Sequence, residues 1–223
     1  MTSDQARLVT VSASYGAGGS VVAPALADRL GVPFLQRATT SDGAITAGTP
    51  CVEPLTTGEA KLTPPHWLLA RLTSAMPAGP TQSPPPSEHQ DENLRRHCEA
   101  DIRRLADAGA GVILGRGAAV VLGKNRGFHV RLDGPSDLRV AQGASIEAVS
   151  EAEARRHMEA ADRARDVYVR RLYRADPADP SHYHLVIDST ALPLATVTEL
   201  ILRALASSPA RLAAGRGTPA TAR

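Results

Sequence analysis

Lysine is nearly missing from this chain. Lys61 and Lys124 are the only two, so arginine supplies almost all of the 25 basic side chains. The cation to follow is therefore the planar arginine fork, which suits phosphate and carboxylate oxygens. Aromatic residues make up 3% of the sequence, so a core must be built mainly from Leu, Val, Ile and Ala. Cys51 and Cys98 lie 47 residues apart. That spacing excludes a cysteine-based metal site, and with no secretory signal it predicts two unpaired thiols. Long apolar runs are also lacking. The opening MTSDQARLVTVSAS has no signal core, and the apolar stretch 109–123 is broken by Arg116, so no membrane span is expected. A net charge of +2 argues against general nucleic-acid binding. At 223 residues and 43% hydrophobic, the expectation is one soluble, cytoplasmic domain over residues 1–206.

Regular structure is legible at both ends of that span. LVTVSA (8–13) reads as a buried strand, a glycine cluster follows, and VVAPALADRL (21–30) has helical spacing. Pro24 is expected in the first turn or so, where its missing N–H matters least. Gly31 stops the helix, and VPFL (32–35) reads as a second strand, so the chain opens as β–Gly loop–α–β. Residues 37–90 carry nine prolines and weak periodicity, the signature of a partly disordered insertion or a mobile cover. Within it, 66–76 has the pattern of one short helix. A helix returns at 93–108, followed by a strand at 112–114, a Gly-Arg-Gly turn, a strand at 128–134 and a helix starting at Pro135. Ser150 and Glu153 form a capping box for a long Arg-rich helix over 151–173. A strand at 184–188 and a helix at 192–206 complete the domain, and 207–223 reads as a disordered tail. The fold class is α/β, with three layers around a five-stranded parallel sheet. Ligands in such sheets bind at the carboxyl ends of the strands.

Three constellations converge on that edge. The loop SASYGAGGSV lets the backbone curl so that its N–H groups and the next helix's N-terminus face an anion. It lacks the motif G-x-x-x-x-G-K-[ST], because Gly19 stands where lysine is expected. Alternatively, it is only a strand-to-helix turn. Arg116, between two glycines after a strand, is either a surface turn residue or a bidentate phosphate clamp. The 151–173 helix and its end carry Arg155, Arg156, Arg163, Arg165, Arg170, Arg171 and Arg174 against five acids. Taken singly these read as solvated ion pairs of about 0.2–0.5 kcal/mol each. As a group they can close over a polyphosphate, with Asp162 spaced to orient Arg165 and Tyr168 packing beneath or bonding a ligand. Asp133 and Asp188 end strands, where an acid binds Mg²⁺ or starts a turn. The seven histidines show no ligand spacing apart from His182 and His184, and no metal site is expected.

Two blocks resemble the cytidylate-kinase-like family, a branch of the P-loop nucleoside monophosphate kinases. One is VTVSASYGAGGSVVAPALADRLGVPFLQRA (9–38). The other runs over 111–194 and includes the G-R-G turn, D-R-A-R-x-x-Y (162–168) and Y-x-L-V-I-D-S (183–189). The resemblance implies a P-loop kinase fold and transfer of a phosphoryl group from ATP–Mg²⁺ to a nucleotide such as CMP. It implies that Tyr15, Gly16, Ala17, Gly18, Gly19, Ser20 and Val21 hold ATP, and that Arg116 and Tyr168 hold the acceptor. Arg139, Asp162, Arg163 and Arg165 would serve the transfer, with residues 145–180 as a helical lid. The Y-G-x-G-G branch shares the absent lysine, but Val21 replaces an expected hydroxyl and Gln36 an expected acid. A nucleotide-binding module without turnover is the alternative.

Overall fold

The computed structural model describes residues 7–35, 52–53 and 88–208. The expected helix at 66–76, Cys51, Gln36, most of the proline-rich segment and the tail beyond 208 lie outside them. Strand β1 (Arg7–Ala13) leads through the glycine loop into α1 (Gly19–Leu30), then β2 (Phe34–Leu35). Short β3 (Val52–Glu53) precedes α2 (Glu88–Asp107), β4 (Ala110–Leu114) and α3 (Ala118–Leu122). The chain continues through β5 (Phe128–Asp133), α4 (Ser136–Glu147), α5 (Glu151–Tyr173), β6 (Leu185–Asp188) and α6 (Leu194–Ser207).

The sheet order is β3-β2-β4-β1-β5-β6. Five strands are parallel, as the alternating β and α segments predict. The sixth, β3, adds an antiparallel edge pairing Phe34 with Glu53; two residues are too short for a periodicity signal. The helix α2 also starts at Glu88, five residues before the apolar stripe, because its first turns are polar. Around β1 the apolar residues alternate faces. Val9, Val11 and Ala13 pack with Val22, Leu26 and Ile201 of α1 and α6. Leu8 packs on the opposite face with Ile102, Leu105 and Leu122 of α2 and α3. This gives three layers.

Loop conformation explains the helix boundaries. Gly18 (φ 74°, ψ 12°) caps α1, so the helix begins earlier than the apolar pattern suggests, and Pro24 falls in its interior. The lost N–H leaves the carbonyl of Ser20, an exposed residue, without its helical donor. At α5 the N-cap half of the box is present: the Ser150 hydroxyl accepts from the Glu153 amide at 3.3 Å. β1 and β4 are adjacent, yet α1 leaves on one face toward β2 and α3 on the other toward β5. The loops after these two strands therefore open a crevice at the carboxyl edge.

Candidate functional site

The loop after β1 is held from outside while its inner amides stay open. Among the described residues, the N–H groups of Gly16, Gly18, Gly19 and Ser20 donate no hydrogen bond. Its carbonyls are tied down. Arg139 Nη1 donates to Tyr15 O at 3.0 Å, Gln142 Nε2 to Gly16 O at 2.8 Å and Ser189 Oγ to Ala17 O at 2.8 Å. Gly16 sits at φ 71°, and a Cβ there would come within 1.9 Å of the Arg139 carbonyl oxygen. Open amides on a clamped loop, continued by a helix N-terminus, are an arrangement of donors that suits an anion. Ser20 and Val21 are exposed at the start of α1, whereas Gly19 is buried at the position that lacks lysine.

Asp162 joins this loop to α5. It accepts from the Tyr15 amide at 2.9 Å and from Arg139 Nη1 at 2.7 Å, and lies 3.0 Å from Arg165 Nη2. Burial opposes its charge, but Arg165, the Tyr15 amide and Arg139 outweigh it and hold the carboxyl below its ordinary range. Arg165 Nη2 is close to Asp162 without an aligned hydrogen bond. Burial pulls the Arg165 guanidinium below its usual pKa. Arg139 also donates through Nε to Gly134 O at 3.0 Å, so it ties the turn after β5 to the loop after β1. Arg163 is exposed and makes no ion pair among the described residues.

Arg116 and Tyr168 meet Arg165 around a second feature, a narrow cavity of about 30 Å³ between the β1 edge, α3 and α5. Arg116 is left-handed (φ 57°) between two left-handed glycines, an arrangement that costs about 1–3 kcal/mol for a side-chain-bearing residue. Its side chain is 4% exposed, 3.7 Å from Asp101 and 3.9 Å from the Cys98 sulfur, a free thiol. The hydroxyls of Tyr168 and Tyr173 are buried beside each other and Cys98 but make no aligned hydrogen bond among the described residues. Burial pushes Tyr173 up to about 12 and Tyr168 higher still, so both remain protonated donors.

Sequence reasoning missed Arg131, Gln142 and Ser189. Arg131, 8% exposed, reaches Asp133 at 2.7 Å, Pro177 O at 2.8 Å and Ser14 Oγ at 3.3 Å. Its signal is the polar alternation His129, Arg131, Asp133 inside an otherwise apolar strand. Burial opposes the Asp133 charge, yet Arg131 holds that carboxyl below its ordinary range. Asp188 is absorbed by Thr190, whose hydroxyl donates at 2.6 Å. Both strand-end acids thus serve turns or ion pairs. No group of three His, Cys, Asp or Glu side chains among the described residues is arranged for a metal. No helix among them is long and apolar enough to cross a membrane.

A parallel sheet whose first strand feeds a glycine-rich anion cradle is the P-loop kinase architecture. Residues 8–191 match the cytidylate kinase-like family, and the chain belongs to it. An uncharacterized protein from Eubacterium ventriosum is similar in structure, with 19% identity and a TM-score of 0.61, covering 91% of this chain and 99% of that one. A gluconokinase from Sinorhizobium meliloti matches at 15% identity and TM-score 0.47, covering 91% and 93% of the two chains. A shikimate kinase from Acinetobacter baumannii matches at 16% and 0.46, covering 92% and 95%. No curated protein matches the chain.

Proposed function

We propose that this protein transfers a phosphoryl group from ATP to a small-molecule acceptor, a nucleoside monophosphate such as CMP. The observation that carries the reading is the clamped loop with four open amides, joined through Asp162 to Arg165. The amides of Gly16, Gly18, Gly19 and Ser20 would hold the ATP phosphates, with Tyr15, Ala17 and Val21 completing the segment. Arg165 supplies the positive charge that the loop lacks at Gly19, and Arg163 adds an exposed cation from the same helix. Asp162 and Arg139 act as positioning residues. Arg116 and Tyr168 face the acceptor.

A magnesium ion suits this donor set, because it keeps several waters and takes phosphate oxygens with few protein ligands. The exposed Ser20 hydroxyl is the side-chain oxygen nearest in sequence to the open amides. Ser20 would help hold such an ion beside the phosphates, where it would supply neutralisation of phosphate charge. The chain's own residues contribute positioning and electrostatic stabilisation, which is nearly all that phosphoryl transfer requires of a protein. Residues 145–180, with α5 at their centre, act as the lid over this edge.

The test is ADP release from ATP–Mg²⁺ with a panel of nucleoside monophosphates. Turnover should appear with one class of acceptor. Arg165→Ala should lower kcat by roughly 10³-fold or more, given what a transition-state arginine contributes. ATP binding without turnover for any acceptor would instead favour a nucleotide-binding module, a reading that the missing lysine supports. Neither binding nor turnover would sink both.

A further inference from the structure

Tyr15 is held at three points, by its amide, its carbonyl and its phenol. Its amide donates to Asp162 of α5 and its carbonyl accepts from Arg139 of α4. Its phenol donates to Glu147 Oε2 at 2.7 Å, at the last residue of α4. The same carboxylate oxygen lies 2.8 Å from Nδ1 of His157 on α5. A carboxylate oxygen only accepts, so Nδ1 carries the proton in this contact. The His157 side chain is 7% exposed and that of Glu147 16%. The Tyr15 ring lies edge-on to the His157 imidazole at 6.2 Å. It is buried with Val140 and Ala144 of α4 and with Ala154, Met158 and Ala161 of α5. Gly143 makes room for it: a Cβ there would stand 2.6 Å from the ring. Arg139, Gln142, Gly143 and Glu147 lie on one face of α4 at helical spacing, and every one of them touches the loop.

We propose that Glu147 and His157 are positioning residues that lock Tyr15 to α5, so that the anion cradle and the helix bearing Arg165 are set as one unit. The proposal rests on the reading of this loop as a nucleotide-phosphate site. Burial and the Glu147 carboxylate both raise the Tyr15 pKa well above its ordinary value, so the phenol stays a donor. The Glu147 carboxylate therefore links two donors from two elements. Removing it leaves a phenol and an imidazole N–H without an acceptor in a mostly apolar cluster.

The test uses the full chain and five variants: Glu147→Ala, His157→Ala, His157→Asn, Tyr15→Phe and the double variant Tyr15→Phe with His157→Ala. Asparagine retains an N–H donor close to the Nδ1 position. The first readout is amide exchange at Tyr15 and Ala17, both hydrogen-bonded in the loop, with the β5 amides as control. The second is ATP affinity together with the split between KM and kcat. Glu147→Ala and His157→Ala should each speed loop exchange and weaken ATP binding by about three- to tenfold, the scale of one buried hydrogen bond. The β5 amides should not change, and His157→Asn should stay within about twofold of wild type. Tyr15→Phe combined with His157→Ala should be no worse than the more affected single variant. The proposal is overturned by unchanged loop exchange in Glu147→Ala, by equal loss in the Asn and Ala variants, by multiplying effects in the double variant, or by loosening of β5 together with the loop. If wild type fails to bind ATP, the functional reading falls. The exchange measurements then still decide whether the lock exists.

Discussion

Two tyrosines on the carboxyl edge of the sheet are both about 5% exposed but are treated in opposite ways. Tyr15, in the loop, has its amide, carbonyl and phenol all bonded to α4 or α5. Tyr168, facing the small cavity with Arg116 and Arg165, has a buried hydroxyl beside Tyr173 and Cys98. On the loop side every polar group of Tyr15 is thus held, while on the cavity side the Tyr168 hydroxyl makes no aligned hydrogen bond among the described residues. A buried unsatisfied donor is a standing destabilisation that a ligand acceptor would relieve.

The largest effect expected from breaking this comparison comes at Gly16. Gly16→Ala places a methyl group against the Arg139 carbonyl in a left-handed conformation. It should destabilise by at least about 2 kcal/mol and lower Tm by roughly 4–8 °C. Calorimetry should also find the ATP-dependent rise in Tm abolished. An intact rise would mean that the loop is not clamped.

The sheet floor between the two regions has its own signature. His129 is fully buried, accepts from the Thr10 hydroxyl at Nδ1 (2.7 Å) and donates from Nε2 to Gly123 O (2.9 Å). Burial chiefly lowers its pKa to about 4. Between about pH 6.5 and 4 the unfolded histidine takes up a proton that the folded one refuses, so stability falls as pH falls through that window. The loss should approach roughly 2–3 kcal/mol by pH 4. His129→Gln should flatten this part of the curve in denaturant titrations at several pH values. A wild-type stability constant down to pH 4 would refute the assignment.

The smallest effect should also be the sharpest. Tyr168→Phe removes a hydroxyl that makes no aligned hydrogen bond among the described residues, so the free protein should be unchanged or up to about 1 kcal/mol more stable. The acceptor KM should rise about tenfold, worth about 1.4 kcal/mol. Equal loss of stability in Tyr168→Phe and Tyr15→Phe would erase the difference between the two halves.

Much of this was legible from order and spacing alone. The parallel strands, the loop before α1, the N-cap at Ser150 and the Asp162–Arg165 pair all depend on residues within a turn or two of one another. The start of α1 was misplaced because Gly18 caps it through a left-handed backbone, which no apolar stripe reports. The family resemblance put Arg139 near the transferred group, and only the structure shows its Nη1 bonded to Tyr15 O and Asp162 under the loop. Arg131 was passed over because a cation inside an apolar strand is interpretable only when its neighbours on Asp133, Ser14 and Pro177 are known.

By itself, the sequence determined the three-layer α/β order, the glycine-rich turn between β1 and α1 and the near-exclusive use of arginine as the cation. Those properties follow from local backbone preference, periodicity and composition, which act at short range. Only the tertiary structure decided which arginines hold the loop and which face the cavity. It also brought Glu147 and His157 to Tyr15, more than 130 residues away along the chain. Such contacts depend on how helices dock across the sheet edge, and hydrogen bonds between distant segments leave no periodic trace in the chain that makes them.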